Sequence, residues 1–212
     1  MIESEDQARE LCATLAQAGG TDADAALGKL DQLAAMLSSE NERQNLVSRA
    51  SLDQIWLRHL ADSAQLLSYD VPRETSNWLD LGTGAGFPGL VIAALRPEMD
   101  VFLVESRKRR IEWLESAVDS LSLSKCHVLG ARLEDVESFK ADVISARAFA
   151  PLPKLVKLAQ RFATEETLWL LPKGKSAQKE LTELPNRQSK LFHVEQSVTS
   201  SEAGVIVGRL NL

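Results

Sequence analysis

The residues best suited to chemistry gather at one glycine-dense stretch, Asp80-Leu81-Gly82-Thr83-Gly84-Ala85-Gly86-Phe87-Pro88-Gly89. A short apolar run precedes it and Leu90-Val91-Ile92-Ala93-Ala94-Leu95 follows, which reads as strand, tight loop and helix. Glycines permit positive φ and remove the Cβ that would hold a ligand off the backbone. The start of the following helix offers unpaired N–H groups, and Pro88 suits a first helical turn because its missing N–H costs little there. Gly84-x-Gly86-x-x-Gly89 satisfies the dinucleotide pattern G-x-G-x-x-G, which alone is weak. Asp80 separates the possible ligands. A carboxylate at the strand end would repel a pyrophosphate and attract a cation. S-adenosylmethionine (SAM) carries an ammonium and a sulfonium and no phosphate, so the loop points to SAM over NAD.

Further candidates fall at the carboxyl ends of the other strands, where open α/β sheets bind ligands. Glu105, about 20 residues beyond the loop, is placed to accept ribose hydroxyls of either nucleotide. Glu134, in Arg132-Leu133-Glu134, could meet an adenine edge or cap a helix in solvent. Arg147, in Ser145-Ala146-Arg147-Ala148-Phe149, follows the fourth strand on the acceptor side of a SAM enzyme. Lys173-Gly174-Lys175 follows the fifth, where the lysines could reach phosphate. Phe87 and Phe149 could stack on a base or pack in the core. His59 and Asp62, three apart on a helix, can pair, and one His with one Asp makes no metal site.

The elements that must position these groups follow from periodicity. A helix is expected over 5–18, with Ala8, Leu11, Cys12 and Leu15 on one side and Gly19-Gly20 ending it. A second follows caps in Thr21 to Asp24, with Leu27, Leu30, Leu33, Ala34 and Leu37 as its stripe, and the pattern breaks from Ser38 to Arg43. A third starts at Ser51 or Asp53 and buries Ile55, Trp56, Leu60, Ala64 and Leu67; Tyr69 to Ser76 is a connector. Strands are expected at 78–80, 101–104, 125–129, 142–145 and 168–171, the last closed by Pro172, alternating with helices at 107–121, 153–162 and 176–184. Two strands, 191–198 and 205–210, turn around Gly204 as an antiparallel edge hairpin. The fold class is therefore α/β, a Rossmann-like, mostly parallel doubly wound sheet at 71–212 with a helical N-terminal extension at 1–70.

Composition narrows the class. The net charge is −6, yet residues 1–45 hold nine acids and three bases, whereas 46–212 hold twenty-one of each. Segment 147–190 has nine bases and four acids, and Arg107-Lys108-Arg109-Arg110 is a tight basic cluster. A basic face for nucleic acid and a merely solvated helix face both fit. Cys12 and Cys126 lie in no C-x-x-C pair and read as buried thiols in a reducing compartment. No apolar run approaches a membrane span of about 20 residues. Met1 to Asp6 is acidic and lacks a signal-peptide layout.

The ordered motifs Asn45-Leu46-x-Ser48, Arg58-His59-x-x-Asp62-Ser63, Asp80 to Gly89 with its Gly-x-Pro-Gly ending, Glu105-Ser106-x-x-Arg109-Arg110, Arg132-x-Glu134, Ser145-x-Arg147-Ala148-Phe149-Ala150 and Lys173-Gly174 resemble the GidB (RsmG) family of bacterial rRNA methyltransferases. The resemblance runs from about Asn45 to Gly174. It implies a Rossmann-like enzyme moving the SAM methyl to N7 of one guanine of 16S rRNA in the small ribosomal subunit, in the cytoplasm. Gly82, Phe87, Glu105, Leu133, Glu134 and Arg147 would contact SAM, with Asp80, Gly84 and Gly86 in the same loop. Guanine N7 has a lone pair and no proton to lose, so neither metal nor general base is expected. Arg147 and Lys173 would position the guanine or its phosphate. A SAM enzyme with a small-molecule or protein acceptor, a non-enzymatic nucleic-acid binder and an NAD dehydrogenase are the competing classes. Nothing in the sequence demands a dimer, and a monomer is expected.

Overall fold

In the computed structural model, which describes residues 1–72 and 75–210, the chain begins with two helices, α1 (Glu5–Ala18) and α2 (Ala23–Asn41). Ser4 caps α1 through its hydroxyl on the Gln7 N–H, and Asp22 caps α2 on Ala25. Helix α2 continues past the expected break at Ser38 as far as Asn41. The Asn41 side chain then turns the loop by accepting from the Leu46 and Val47 N–H groups and donating to the Val47 carbonyl.

The expected third helix is broken into pieces. A short α3 (Arg49–Leu52) leads to a π-helical turn at Trp56–Ala61, a brief α4 (Asp62–Ala64) and a 3₁₀ turn at Gln65–Ser68. The cause is non-local: the carboxylate of Glu5, on α1, accepts from the backbone N–H groups of Trp56 and Leu57 at 3.0 and 2.9 Å. Of the connector expected at 69–76, Arg73 and Glu74 lie outside the described residues.

The remaining elements are β1 (Asn77–Leu81), α5 (Gly89–Leu95), β2 (Asp100–Val104), α6 (Lys108–Ser120), β3 (Cys126–Leu129), β4 (Val143–Ser145), α7 (Leu152–Ala159), β5 (Leu168–Lys173), α8 (Ala177–Thr182), α9 (Asn186–Ser189), β6 (Phe192–Gln196) and β7 (Gly204–Arg209). The sheet order is β3-β2-β1-β4-β5-β7-β6, parallel through β5 and antiparallel at the β7-β6 edge. This is the Rossmann-like arrangement expected. Pro172 does not close β5. It sits inside the strand opposite Val205, beyond the end of β4, whose pairing stops at Ser145 and Leu170, so its missing N–H breaks no bond to β4. Gly204 begins β7 instead of forming the turn.

Alternation along β1 divides the core. Trp78 faces one layer with residues of α1, α2, α5, α6 and the π turn, while Leu79 and Leu81 face the other with α7 and α8. The N-terminal helices thus share one apolar layer with α5 and α6. They are tied to it by Arg96, which donates to the Leu15 carbonyl, and by Thr21, which donates to the Leu95 carbonyl.

Gly89 brings α5 into close contact with the sheet. A Cβ there would overlap the Leu103 side chain and lie 3.0 Å from Asp80 Oδ2. Gly89→Ala is expected to cost about 1–3 kcal/mol and to lower the urea midpoint at unchanged slope. An unaltered midpoint would show that this contact has slack.

Candidate active site

Asp80 is fully buried. Its Oδ1 accepts from the Ser145 hydroxyl at 2.8 Å and its Oδ2 from the Gly89 N–H at 3.0 Å. Ser145 in turn accepts from Trp78 Nε1 at 2.8 Å. The carboxylate therefore joins β1, β4 and the start of α5. Burial pushes its pKa up, opposed by the neighbouring Thr83 and Ser145 hydroxyls, the Gly89 amide and the charge of Arg147.

The loop glycines divide their duties. Gly82, Gly84 and Gly86 all have positive φ, at 61°, 60° and 100°. A Cβ on Gly86 would overlap Leu90, so this glycine serves packing. A Cβ on Gly82 would overlap the Phe149 ring. Gly84 is open: a Cβ would meet only Arg110 Nη1 at 3.6 Å and the Gly82 carbonyl at 3.8 Å. Gly82 and Gly84 are both partly exposed, but open space over the backbone lies at Gly84, whereas Gly82 is covered by Phe149.

Glu105 follows β2 with its side chain 6% exposed. One oxygen accepts from the Ser106 and Arg107 N–H groups at 2.7 and 2.9 Å, and the other faces Arg110 at 3.5 Å. Leu133 and Glu134 lie in a 3₁₀ turn, Leu133–Asp135, held by Arg161, which donates to the carbonyls of Leu133 and Val136. Arg161 escapes sequence reasoning because its role is set 28 residues away across the fold.

Arg147 has the most constrained surroundings. Its guanidinium lies 5.0 Å from the Phe87 ring centroid, 3.7 Å from Asp62 Oδ2 and 3.4 Å from His59 Nδ1. Burial lowers its pKa and the charges of Asp62 and Asp80 raise it. Phe87 is itself buried, stacked on His59 at 5.1 Å. His59 does not pair with Asp62 as its spacing suggested. The π turn directs its Nε2 to the Ser51 hydroxyl at 2.9 Å, while Asp62 accepts from Gln65 and Thr199. A guanidinium has no acceptor, so His59 Nδ1 carries no proton and Nε2–H donates to Ser51, which donates to the Ser48 carbonyl at 2.7 Å. Burial, with Arg147 and Arg58 adding to it, pushes the His59 pKa down from 6.5 to about 3.

Lys173 also departs from its expected setting. Its ammonium pairs with Glu180 at 2.9 Å and its side chain is 7% exposed. Arg58, Asp62, Arg147, Phe149 and Lys173 line a cleft of about 910 Å³; no glycine-loop residue lines it, and it meets the loop through Arg147 and Phe149. Among the described residues no group of three or more His, Cys, Asp and Glu could hold a metal ion, and no helix is long and apolar enough to cross a membrane.

The model of the GidB family, described as rRNA small subunit methyltransferase G, matches residues 26–207. The chain belongs to the GidB family. It is 56% identical over 209 residues to Ribosomal RNA small subunit methyltransferase G of Erythrobacter litoralis, covering 99% of this chain and 98% of that one. It is 57% identical over 190 residues to the protein of that name from Novosphingobium aromaticivorans, covering 88% and 82%. A SAM-dependent methyltransferase from Aquifex aeolicus shares the fold at TM-score 0.59 and 17% identity, over 80% of this chain and 98% of that one. The fibrillarin/Nop5p complex contains a chain matching at TM-score 0.54 and 15% identity, over 73% and 82%. In this GidB chain the Rossmann-like sheet thus brings Gly82, Gly84, Glu105, Leu133-Glu134 and Arg147 to one edge, and the helical segment adds His59 and Asp62.

The neutral imidazole gives a pH test. Because the folded pKa of His59 lies below that of the unfolded chain, unfolding takes up a proton between pH 6.5 and about 3. Its contribution is complete above pH 6.5 and falls as the pH drops, by up to about 1.4 kcal/mol per unit. His59→Gln should flatten the denaturation free energy against pH below 6.5 relative to wild type; parallel curves would contradict a neutral His59.

Proposed function

We propose that the chain transfers the methyl group of SAM to N7 of a guanine in 16S rRNA of the small ribosomal subunit. The observation that carries this reading is the meeting, at one sheet edge, of a ligand-accessible glycine turn with a clamped arginine on the adjacent strand end. The names of the 56% and 57% identical relatives supply the class of acceptor.

The residues fit SAM. Gly84 leaves backbone open, Gly82 lies under the Phe149 ring, and Phe87 is buried within the loop. Glu105 keeps one oxygen free of backbone hydrogen bonds for the ribose, and Leu133-Glu134 borders the adenine. Asp80 and Glu105 supply negative charge for a cationic ligand, Asp80 from beneath the loop. When bound, the sulfonium supplies an activated methyl group. Guanine N7 needs no deprotonation, so the chain's task is to bring the base in line and exclude misplacement. Arg147, held from three sides, positions the base through O6 or its phosphate while leaving N7 open. The enzyme acts in the cytoplasm as a monomer. The segment 1–70 forms a helical extension packed on the 71–212 methyltransferase domain and completes the site through His59 and Asp62.

The test is incubation with radiolabelled SAM and small subunits from cells lacking the endogenous activity, followed by nuclease mapping and mass spectrometry. Label as 7-methylguanine at a single 16S position is expected. No label on subunits, precursors or naked rRNA, with SAM binding intact, would leave a SAM enzyme with another acceptor. In parallel, Glu105→Ala should weaken SAM binding by calorimetry by about 10- to 100-fold, the loss of a hydrogen bond to a charged group.

A further inference from the structure

The sequence suggests that Lys173 positions the guanine or its phosphate; its surroundings in the fold point to different work. Its ammonium, besides pairing with Glu180 Oε2 at 2.9 Å, donates to the Ala150 carbonyl at 3.3 Å. Glu180 Oε2 also accepts from the Leu152 N–H at 3.3 Å, and its Oε1 accepts from the Ser176 hydroxyl at 2.9 Å. The pair therefore grips both sides of Pro151, at the end of the segment that starts with Arg147. The other end is gripped by His59, Asp62 and Phe87 around Arg147. Between the two grips, Ala148 has φ +55°, and the Phe149 ring lies over Gly82. A non-glycine residue in the left-handed region is sterically disfavoured and persists only where its surroundings over-determine it.

We propose that Lys173 and Glu180 are positioning residues: as a pair they fix the Arg147–Leu152 segment, and so set Arg147 and Phe149 against the glycine loop, with no contact to RNA. This rests on the methyltransferase reading above. Extending Lys173 to a phosphate would break the ion pair, release the Ala150 carbonyl and strand the Glu180 carboxylate, which is 18% exposed. Removing either partner leaves the other partly buried and unpaired, so both single variants should disturb the same segment.

Three near-isosteric variants, Lys173→Met, Glu180→Gln and the double replacement, are compared with wild type. The readouts are SAM Kd by calorimetry, kcat and KM on small subunits, the salt dependence of subunit binding, and urea midpoint. Each single variant is expected to weaken SAM binding several-fold and lower kcat about ten- to a hundredfold, as displacement of a positioning group does. The double variant should be no worse than the poorer single one, because the residues act as a unit. Subunit KM and salt slope should stay at wild-type values. If Lys173→Met alone weakens subunit binding and reduces the salt slope by about one, while Glu180→Gln is neutral, Lys173 contacts phosphate and the proposal falls. It falls equally if the variants shift only the urea midpoint, leaving SAM binding and turnover unchanged. The double variant removes both charges together and keeps the test open should a single variant fail to fold. Wild-type SAM binding without methyl transfer to rRNA would refute the acceptor assignment, while the SAM Kd comparison would still decide the role of the pair.

Discussion

A carboxylate without water must find all its stabilisation in the protein, and Asp80 is in that position. Its two oxygens draw in a serine from the neighbouring strand and the first amide of the helix after the loop. Those bonds set where β1 ends, how close β4 comes and where α5 begins. The close approach at Gly89 follows from them, since no Cβ fits between Leu103 and the Asp80 carboxylate. The open backbone at Gly84 is the far side of the same turn. An acid in this position is thus structural and electrostatic together: it shapes the loop from beneath and leaves a negative field behind it.

The same economy governs Arg147. It leaves β4 directly after Ser145-Ala146, so the strand that meets Asp80 also delivers the arginine. Its direction is set by residues far earlier in the chain. The π turn at Trp56–Ala61 orients His59, and the neutral imidazole passes the constraint through Ser51 to the Ser48 carbonyl. The helical segment is therefore part of the site's wall as well as part of its core.

Where local chemistry decides, the sequence was legible. The span of α1 follows from the Ala8–Leu15 stripe and Gly19-Gly20, and the strand–glycine loop–helix unit follows from its residue types alone. The strand ends then locate Glu105 and Arg147 without any contact information. What was not legible depends on groups distant in sequence. Trp56, Leu60 and Ala64 fit an ordinary helix, and only the Glu5 carboxylate on two of its amides shows why the helix breaks and restarts at Trp56. His59 and Asp62 have the spacing of a pair, but that spacing assumes 3.6 residues per turn. Pro172 read as a strand end because the early stop of β4 could not be seen. The ion pair of Lys173 was not legible because Glu180 lies on a helix whose docking no local pattern reveals.

The contact between His59 and Arg147 spans 88 residues of chain. Closing so long a loop is entropically disfavoured until other contacts have brought its ends together. During synthesis the helical segment is made first and can pack on α5 and α6, and His59 on Ser51 and Phe87, before the fourth strand emerges with Arg147. The arginine's setting is therefore completed late, and a fragment ending before β4 would contain the glycine loop and His59 but not Arg147.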